Sequence, residues 1–497
     1  MKKYTWLSLW VVIPLLFNCC KRIPSPTSPP ARFIEEQKGP IDIPKGQSYR
    51  FGYLEVPENR QDPNSNRIQL PVYIFKSRNP NPKPDPIIYT VGGPGYSTMR
   101  SARYMQYYQY LDDRDFILFE QRGNQYAKPH LACPEWSQAV YTANLPSTTP
   151  MVGDSLKEQA ARACSERLRR QGIDLNGYHT RESAADIADL RKVLKLDQYN
   201  LLTISYSTKI AQVLLRDYPQ GIRSVIMESP LPLEVNYDEE SNQNLVEVLD
   251  KLLKACEASP SCQGAFPGLK KRFYQYLEDI TNNPQKVLVE HPKSGEMETF
   301  LITGKDIVGL LSSLSADDVP TIPIIMERFL AGDLAALKPQ LASLLEGPSK
   351  GAGVGMRLSV WCAEEYPFNS QDKIQEETKR YAIISGLSPA VYSASVCEAW
   401  SVKVQGPLEN RAVKSDIPVL LMNGEYDNLT PPKWASKMLT NLSNSYHLVF
   451  PGWRHNVATY WSNPCGMESA NAFFNDPYSK PNLECFSQIQ APEFQLE

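Results

Sequence analysis

One short stretch of this chain has the residue types and order that could place a serine nucleophile on a sharp turn. Ser205 lies in "LLTISYSTKI", where a strand-like apolar run changes to a helix-like one. Such a turn exposes the serine hydroxyl above a sheet, and it favours small residues two positions before and after the serine. Thr203 and Ser207 occupy those positions. Taking Ser207 as the nucleophile would put Lys209 at a small-residue position, so Ser205 is the better candidate.

A serine nucleophile requires a histidine base and an acid, and after this kind of turn both follow the serine in the chain. Of five histidines, only two lie beyond the strand that would supply the acid. His447 alternates within the strand-like "YHLVF", whereas His455 lies in the loop "PGWRHNVA", so we favour His455. The segment "VLLMNGEYDNLTPP" offers Glu425 and Asp427, and Asp427 has the better position in the loop. Either carboxylate could hold the imidazole in the required tautomer.

Acyl transfer also requires donors for the developing oxyanion. The backbone N–H of Tyr206, directly after Ser205, supplies one by its position. The loop "VGGPG", residues 91–95, follows an earlier strand, and Gly93 could aim a second N–H inward. A Gly/Pro cluster alone indicates only a turn, but its place before Ser205 predicts an oxyanion loop.

Strands and helices alternate from about residue 86 to residue 230, which predicts a doubly wound, mostly parallel sheet of the α/β class. The segments "SYRFGYLEVPENR" and "NRIQLPVYIFKS" before it predict a hairpin. Helical patterns then dominate before the α/β pattern returns, as in a sheet domain with an inserted helical lid. The predicted division is residues 1–22 signal segment, 23–40 Pro/Ser-rich tether, 41–232 first part of the core, 233–405 lid, and 406–497 second part of the core.

The amino end predicts export. Two lysines precede an apolar run that is too short to span a bilayer. The following "LFNCC" resembles the lipobox of bacterial lipoproteins, which makes Cys19 the predicted lipidation site, with Cys20 as the alternative. The protein is then expected to be lipid-anchored to a bacterial membrane, or otherwise periplasmic or secreted.

Eight further cysteines support export, because an even set at short spacings is typical of disulfides formed in an oxidising compartment. No pair has the spacing of a metal site, so we expect no metal. Sequence proximity suggests the pairs Cys133 with Cys164, Cys256 with Cys262, Cys362 with Cys397, and Cys465 with Cys485.

The charge balance excludes some partners. The chain has 52 basic and 55 acidic residues, a net charge of -3, and no long basic run, which argues against nucleic acid binding. The glycine-rich "GAGVG" has no strand before it, so it does not indicate a dinucleotide site. We expect no cofactor, and the oligomeric state stays open.

Six segments together resemble a known family. They are "GYLEVPENR", "VGGPG", "FEQRGNQY", "NLLTISYST", "NGEYDNLTPP" and "PGWRHN". In this order they resemble the α/β-hydrolase serine peptidases that include proline iminopeptidases and tripeptidyl aminopeptidases. The resemblance implies an α/β-hydrolase fold, the triad Ser205, Asp427 and His455, disulfide-bonded cysteines, and a short peptide substrate. Thr203 and Ser207 depart from the glycines usual in the family.

Exopeptidases of this kind bind the free amino end of the substrate through acidic side chains in or near the lid. The sequence offers Glu364 and Glu365 in "WCAEEYPF" and Glu228 after "SVIM" as candidates, although we favour a surface or structural ion-pair role for each. Arg122 in "EQRGN" is expected to be a buried partner of a carboxylate. The sequence thus predicts an exported serine aminopeptidase. An esterase or amidase with the same triad, or a non-catalytic binding protein on this fold, are the alternatives.

Overall fold

A nine-stranded sheet forms the centre of the described residues. The computed structural model describes residues 29–349, 351–384, 387, 391–481, 483–490 and 493–497. The strand order is β1-β2-β3-β5-β4-β6-β7-β10-β11, and β8 and β9 form a separate hairpin. The strands are β1 Arg32–Glu36, β2 Tyr49–Pro57, β3 Arg67–Phe75, β4 Lys83–Thr90, β5 Arg114–Phe119, β6 Tyr199–Ile204, β7 Ile222–Glu228, β8 Gln285–Glu290, β9 Met297–Ile302, β10 Val419–Gly424 and β11 Ser445–Phe450.

The helices of the described residues flank this sheet or belong to the segment between β7 and β10. They are α1 Pro134–Ala143, α2 Pro150–Arg170, α3 Thr180–Val193, α4 Ser207–Asp217, α5 Tyr237–Ala258, α6 Pro260–Ala265, α7 Leu269–Asn282, α8 Gly304–Ser313, α9 Ile322–Leu330, α10 Lys338–Leu345, α11 Val354–Val360, α12 Gln371–Arg380, α13 Ala394–Trp400, α14 Pro432–Met438, α15 Cys465–Asn475 and α16 Glu484–Gln488. One π-helical turn, Trp361–Glu365, continues α11.

The sheet has the predicted α/β character. The adjacent strands β5, β4, β6, β7, β10 and β11 run parallel, and β1, β2 and β3 add an antiparallel edge. Successive residues of the central strands enter different cores: Leu201 packs in the cluster on one face and Leu202 in the cluster on the other. Both faces are therefore covered, which explains why these strands are continuous apolar runs rather than alternating patterns. Their carboxyl ends meet at one edge, where the site lies.

The segment between β7 and β10 has a hydrophobic core of its own. Side chains of α5, α7, α8 and α9 pack together there, with Phe273 and Phe329 fully buried. The hairpin β8/β9 completes this cluster through Val287 and Phe300. The sequence pattern predicts a mainly helical segment here. It missed the hairpin because β8 and β9 bury alternate residues at the edge of a helical core, a short signal between long helical patterns.

Part of the predicted tether is folded. Residues Arg32–Glu36 form β1, whose register pairs Arg32 with Glu55 of β2. Their side chains form an ion pair at 2.8 Å. Only Phe33 and Ile34 of β1 are half-buried and the other three residues are exposed, which suits an edge strand. The predicted signal segment, the lipidation site Cys19 and its alternative Cys20 lie outside the described residues. None of the helices within the described residues combines the length and apolar character that a membrane span requires.

Four disulfides join the cysteine pairs that sequence proximity suggested. They are Cys133–Cys164, Cys256–Cys262, Cys362–Cys397 and Cys465–Cys485. Disulfides of this number are typical of proteins that fold in an oxidising, extracytoplasmic environment.

Arg122 connects the loop after β5 to α3 and to the residue that follows β2. Its guanidinium is fully buried and makes two hydrogen bonds to Asp186 of α3, at 2.7 and 2.8 Å. It also donates to the carbonyl oxygens of Glu58 and Gly177. The prediction that Arg122 is a buried partner of a carboxylate is confirmed.

Replacement of Arg122 by Met should destabilise the fold. The variant leaves buried carbonyls without their donor and Asp186 with Arg60 as its remaining cation, at 2.8 Å. Breaking a buried pair costs about 3–5 kcal/mol when the remaining charge has no partner, and because Asp186 keeps Arg60 the loss should be smaller than that. Urea unfolding should therefore show a clearly lower midpoint. Arg170→Met is the control, because Arg170 is exposed and lies 3.7 Å from Glu166. Equal midpoints for the two variants would contradict the structural role of Arg122.

Candidate active site

Ser205 lies on the turn between β6 and α4, and its backbone is in the left-handed region with a φ of 58°. This conformation is uncommon for a residue other than glycine and costs about 1–3 kcal/mol, so it marks a functional constraint. The Ser205 N–H donates to the carbonyl oxygen of Glu228 at the end of β7, at 3.0 Å. The turn places Ser205 in the lining of a cavity of about 490 Å³.

The two residues that replace the usual glycines are accommodated by hydrogen bonds. Thr203 is fully buried, and its hydroxyl donates to the carbonyl oxygen of Ile226 at 3.1 Å. The Ser207 hydroxyl accepts the N–H of Ile204 at 2.9 Å and donates to the carbonyl oxygen of Thr90 at 2.7 Å. Both side chains thus tie β6 to its neighbouring strands, and the turn keeps its shape without the two glycines.

The glycine loop after β4 packs directly against this turn. A Cβ on Gly92 would lie 2.8 Å from Ser205 Cβ and 2.8 Å from the backbone nitrogen of Tyr206, so only glycine fits. Gly93, with a φ of 118°, and Tyr206 line the same cavity, as expected of oxyanion donors. The sequence analysis named Gly93 and Tyr206 but missed Gly92. The two adjacent glycines in "VGGPG" were the available signal. The contact that requires glycine at position 92 is with the turn at Ser205, and it arises only from tertiary packing.

Glu120 fixes the far side of the glycine loop. Its buried carboxylate accepts the N–H of Thr98 at 2.7 Å and the hydroxyl of Ser97 at 3.0 Å. Burial raises the pKa of Glu120 to about 7, and these hydrogen bonds partly offset the effect. The loop is therefore held both by the turn at Ser205 and by β5.

Asp427 and His455 meet at the carboxyl ends of β10 and β11. The Nδ1 of His455 lies 2.9 Å from Oδ2 of Asp427 and 3.1 Å from Oδ1. Asp427 is fully buried and also accepts the N–H groups of Leu429 and Thr430, each at 3.0 Å. Because Asp427 occupies Nδ1, the Nε2 nitrogen is the one that can exchange a proton with Ser205. His455 and Ser205 line the same cavity.

The two groups shift each other's protonation. Burial alone would lower the pKa of His455, but the charge and hydrogen bond of Asp427 raise that pKa above the ordinary value of 6.5. Burial alone would raise the pKa of Asp427, whereas the charge and hydrogen bond of His455 bring it below its ordinary value. Asp427 therefore stays ionised and stabilises the imidazolium that forms when His455 accepts a proton.

The alternative acid and base lie elsewhere. Glu425 forms an ion pair with Lys251 at 2.9 Å and accepts the N–H of Gly452. The Nε2 of His447 contacts the side-chain oxygen of Asn423 at 3.0 Å, and burial lowers the pKa of His447 to about 4. Neither residue lines the cavity with Ser205. The geometry thus favours Asp427 and His455.

Glu228, a candidate substrate contact for which a structural role was favoured, does not line the cavity with Ser205. It is fully buried, and its Oε1 accepts the N–H of Ala458 at 2.7 Å as well as that of Val457. Burial raises the pKa of Glu228 to about 7, and the two N–H groups partly offset the effect. Because these N–H groups follow His455 closely in the chain, Glu228 holds the loop that carries the histidine.

Glu364 and Glu365 are likewise buried outside the cavity lining. Glu364 accepts the N–H of Thr180 at 2.5 Å, and burial raises its pKa to about 8. Glu365 forms an ion pair with Lys209 of α4. Both carboxylates therefore connect the π-helical turn to the core. Sequence position beside Cys362 placed them near the sheet edge but could not show which way they point.

Aromatic side chains dominate the remaining wall of the cavity. Tyr89, Tyr96, Tyr237 and Trp361 line it, and Arg357 is its only charged side chain besides His455 among the described residues. Within the same residues no aspartate or glutamate lines it, and no group of three or more potential metal ligands occurs.

Comparisons with known proteins identify the fold family and peptidase relatives of this chain. Residues 85–283 match the family model described as alpha/beta hydrolase fold, and residues 386–485 match the model described as TAP-like protein. A tripeptidyl aminopeptidase of Streptomyces coelicolor is 22% identical over 436 residues, covering 83% of this chain and 78% of the relative. Serine protease Hip1 of Mycobacterium tuberculosis is 21% identical over 473 residues, covering 87% of this chain and 86% of the relative.

The chain belongs to the α/β-hydrolase peptidase family. The resemblance inferred from the six sequence segments is thereby confirmed, as is the fold class. The protein is a serine peptidase.

Asp427→Asn in this peptidase keeps the size of the side chain but removes its charge. Because His455 must be neutral to accept a proton, wild-type kcat/KM should rise with pH through a limb above 6.5. In the variant, burial still lowers the pKa of His455, but the charge of Asp427 no longer raises it. The limb should therefore move to lower pH. Loss of the correct tautomer should also reduce kcat on the order of 10³–10⁴-fold.

The matched control for this pH profile is Glu425→Gln, which neutralises the neighbouring acid that pairs with Lys251. Its limb should stay at the wild-type position. If Glu425→Gln moves the limb and Asp427→Asn does not, the assignment of the acid is wrong.

Proposed function

We propose that this serine peptidase is exported and releases short peptides from the free amino end of its substrates, through an acyl-enzyme at Ser205. One observation carries the proposal: Ser205, the glycine loop and His455 line one cavity, and Asp427 occupies Nδ1 of the histidine. These are the parts that acyl transfer needs: a nucleophile, a base held in its tautomer, and backbone donors for an oxyanion.

In the first half of the reaction, the Ser205 hydroxyl attacks the scissile carbonyl while its proton passes to Nε2 of His455. The N–H groups of Gly93 and Tyr206 stabilise the oxyanion. When the tetrahedral intermediate collapses, the imidazolium gives its proton to the leaving amine, and the carbon–nitrogen bond breaks. The acyl group remains on Ser205 as an ester, and the carboxyl-side peptide is released.

In the second half, His455 takes a proton from water, which attacks the ester carbon. The same backbone donors stabilise the second oxyanion. The imidazolium then returns a proton to the Ser205 oxygen, and the amino-side product leaves as a carboxylic acid. Asp427 remains ionised throughout, because the hydrogen bonds from Leu429, Thr430 and His455 favour its charged form.

The shape of the site supports action at a chain end. A cavity of about 490 Å³ lies in the size range of pockets that enclose small ligands. Tyr237, Arg357 and Trp361 of the inserted segment form one wall of it, which limits access for the middle of a folded protein. The relative from Streptomyces coelicolor is named for releasing tripeptides from an amino end, and this chain aligns with most of its length.

Export is part of the same proposal. Four disulfides suit an oxidising compartment. The signal segment and "LFNCC" in the sequence support a lipid anchor at Cys19. The substrate would then be a short peptide outside the cytoplasm.

A second candidate is an esterase or amidase that uses the same triad. It is favoured by one observation: among the described residues, no carboxylate lines the cavity to meet a free amino group. Fold and triad alone do not distinguish these chemistries, because both are shared among many hydrolases.

The test compares tetra-alanine with a free amino end and its acetylated counterpart, with products identified by mass spectrometry. The free peptide should be cleaved more than about tenfold faster, because a site that binds the amino group leaves its polar groups unpaired on the acetylated substrate. Ser205→Ala should cleave neither. Similar rates for the two peptides would contradict action at the amino end. Cleavage of p-nitrophenyl esters but of neither peptide would favour the esterase.

A further inference from the structure

Arg357 brings a positive charge into the catalytic cavity that no carboxylate of the chain neutralises. It lies on α11 and lines the same cavity as Ser205 and His455. Its Nε is buried and has no hydrogen-bond partner among the described residues. Every aspartate and glutamate of the sequence lies in the described part of the chain, and none of them forms an ion pair with Arg357 there.

The guanidinium of Arg357 is nevertheless held in place. Its Cζ lies 5.5 Å from the centroid of the Trp361 ring, in a cation–π contact. The ring is fixed in turn, because its Nε1 donates to the buried carboxylate of Asp238 at 3.2 Å. Stacking on a ring occupies the face of a guanidinium and leaves the N–H groups on its edge free to donate.

The helix that carries Arg357 is anchored to the catalytic loops. The N–H of Gly353, directly before α11, donates to the carbonyl oxygen of Gly95 in the glycine loop at 2.8 Å. The N–H of Gly355 donates to the carbonyl oxygen of Leu131 at 2.9 Å. The positive charge therefore has a fixed place relative to the oxyanion donors.

We propose that Arg357 is a specificity-determining residue that binds a carboxylate of the substrate. A partly buried charge without a partner is costly, and a ligand carboxylate removes that cost while its two oxygens match the planar N–H edge. The carboxylate can come from an acidic side chain or from the carboxyl end of a short peptide. The inference deepens the proposed function, because it takes a peptide as the substrate.

The electrostatics of the cavity have a further consequence. Among the described residues, Arg357 is the one arginine or lysine that lines the cavity, and the buried Lys209 of α4 is paired with Glu365. A substrate ammonium is repelled from Arg357 and must lie at another part of the cavity. Acidic peptides therefore gain affinity, and peptides with lysine or arginine at the corresponding position lose it.

The experiment measures binding to the full mature protein with Ser205→Ala, so that no turnover is needed. Isothermal titration calorimetry compares tetrapeptide amides that have a free amino end. In three arms, Glu replaces Gln at the first, the second or the third position, one position at a time. A fourth arm compares the Gln peptide as an amide and as a free acid. We expect at least one carboxylate-bearing peptide to bind about tenfold more tightly than its neutral counterpart, a typical gain for a charged hydrogen bond. The arm that shows the gain identifies the carboxylate as side-chain or terminal.

Variants of Arg357 on the Ser205→Ala background decide whether this residue is responsible. Arg357→Gln should abolish the preference, and Arg357→Lys should retain part of it, because lysine keeps the charge but loses the planar edge. Arg100→Gln removes a charge close to the site but outside the cavity lining, and its preference should equal that of the parent. Equal binding of charged and neutral peptides, or a preference that survives in Arg357→Gln, would overturn the proposal.

Failure of the proposed function would be visible separately. The Glu-to-Gln ratio of kcat/KM is also measured with p-nitrophenyl esters of acetyl-Glu and acetyl-Gln, which require no peptidase activity. If these esters show an Arg357-dependent preference while no peptide is cleaved, the carboxylate site stands and the aminopeptidase assignment is wrong. If peptides are cleaved from the amino end but show no Arg357-dependent preference, the aminopeptidase assignment stands and the carboxylate site is wrong.

Discussion

The close contact between the glycine loop and the turn at Ser205 is the constraint on which the rest of the site depends. The space between Gly92 and the Tyr206 nitrogen is too small for a Cβ, and Ser205 itself adopts a φ of 58°. A turn of this kind persists only when the surrounding structure holds it. Here the neighbouring strands do so. The Ser205 N–H donates to a carbonyl oxygen at the end of β7, and the Ser207 hydroxyl donates to a carbonyl oxygen at the end of β4.

Buried carboxylates hold the remaining parts around this turn. Glu120 binds the far side of the glycine loop, and Glu228 binds the N–H groups that follow His455. Glu364 connects the inserted segment to the start of α3. Each satisfies backbone or hydroxyl donors that would otherwise be buried without partners, which explains why acidic side chains are kept in a dry interior. These groups hold the loops around Ser205, and Asp427 contacts His455.

The sequence was sufficient to predict the parallel strands and to name Ser205, Asp427 and His455, which the structure brings together, because both depend on order along the chain. Continuous apolar runs marked the parallel strands, and the order of Ser205, Asp427 and His455 matched the loops at their ends. The sequence was insufficient to predict the direction in which individual side chains point. Glu228 was a candidate substrate contact, with a structural role favoured, and only the structure shows that its carboxylate binds the N–H groups of Val457 and Ala458. One residue of register on a strand decides the face that a side chain takes, and sequence does not fix it. Arg357 was missed for a similar reason: a single arginine in a helical stretch carries no signal until tertiary packing shows that it lacks a partner.

The central claim is that Ser205 is an activated nucleophile despite Thr203 and Ser207 on its turn. The most direct measurement is reaction of the purified mature protein with a fluorophosphonate probe, followed by mass mapping of the adduct, with His455→Ala in parallel. The account predicts one adduct, on Ser205, which is lost in the histidine variant because the serine then has no base. Folded wild-type protein that gives no adduct, or an adduct on another serine, would contradict it.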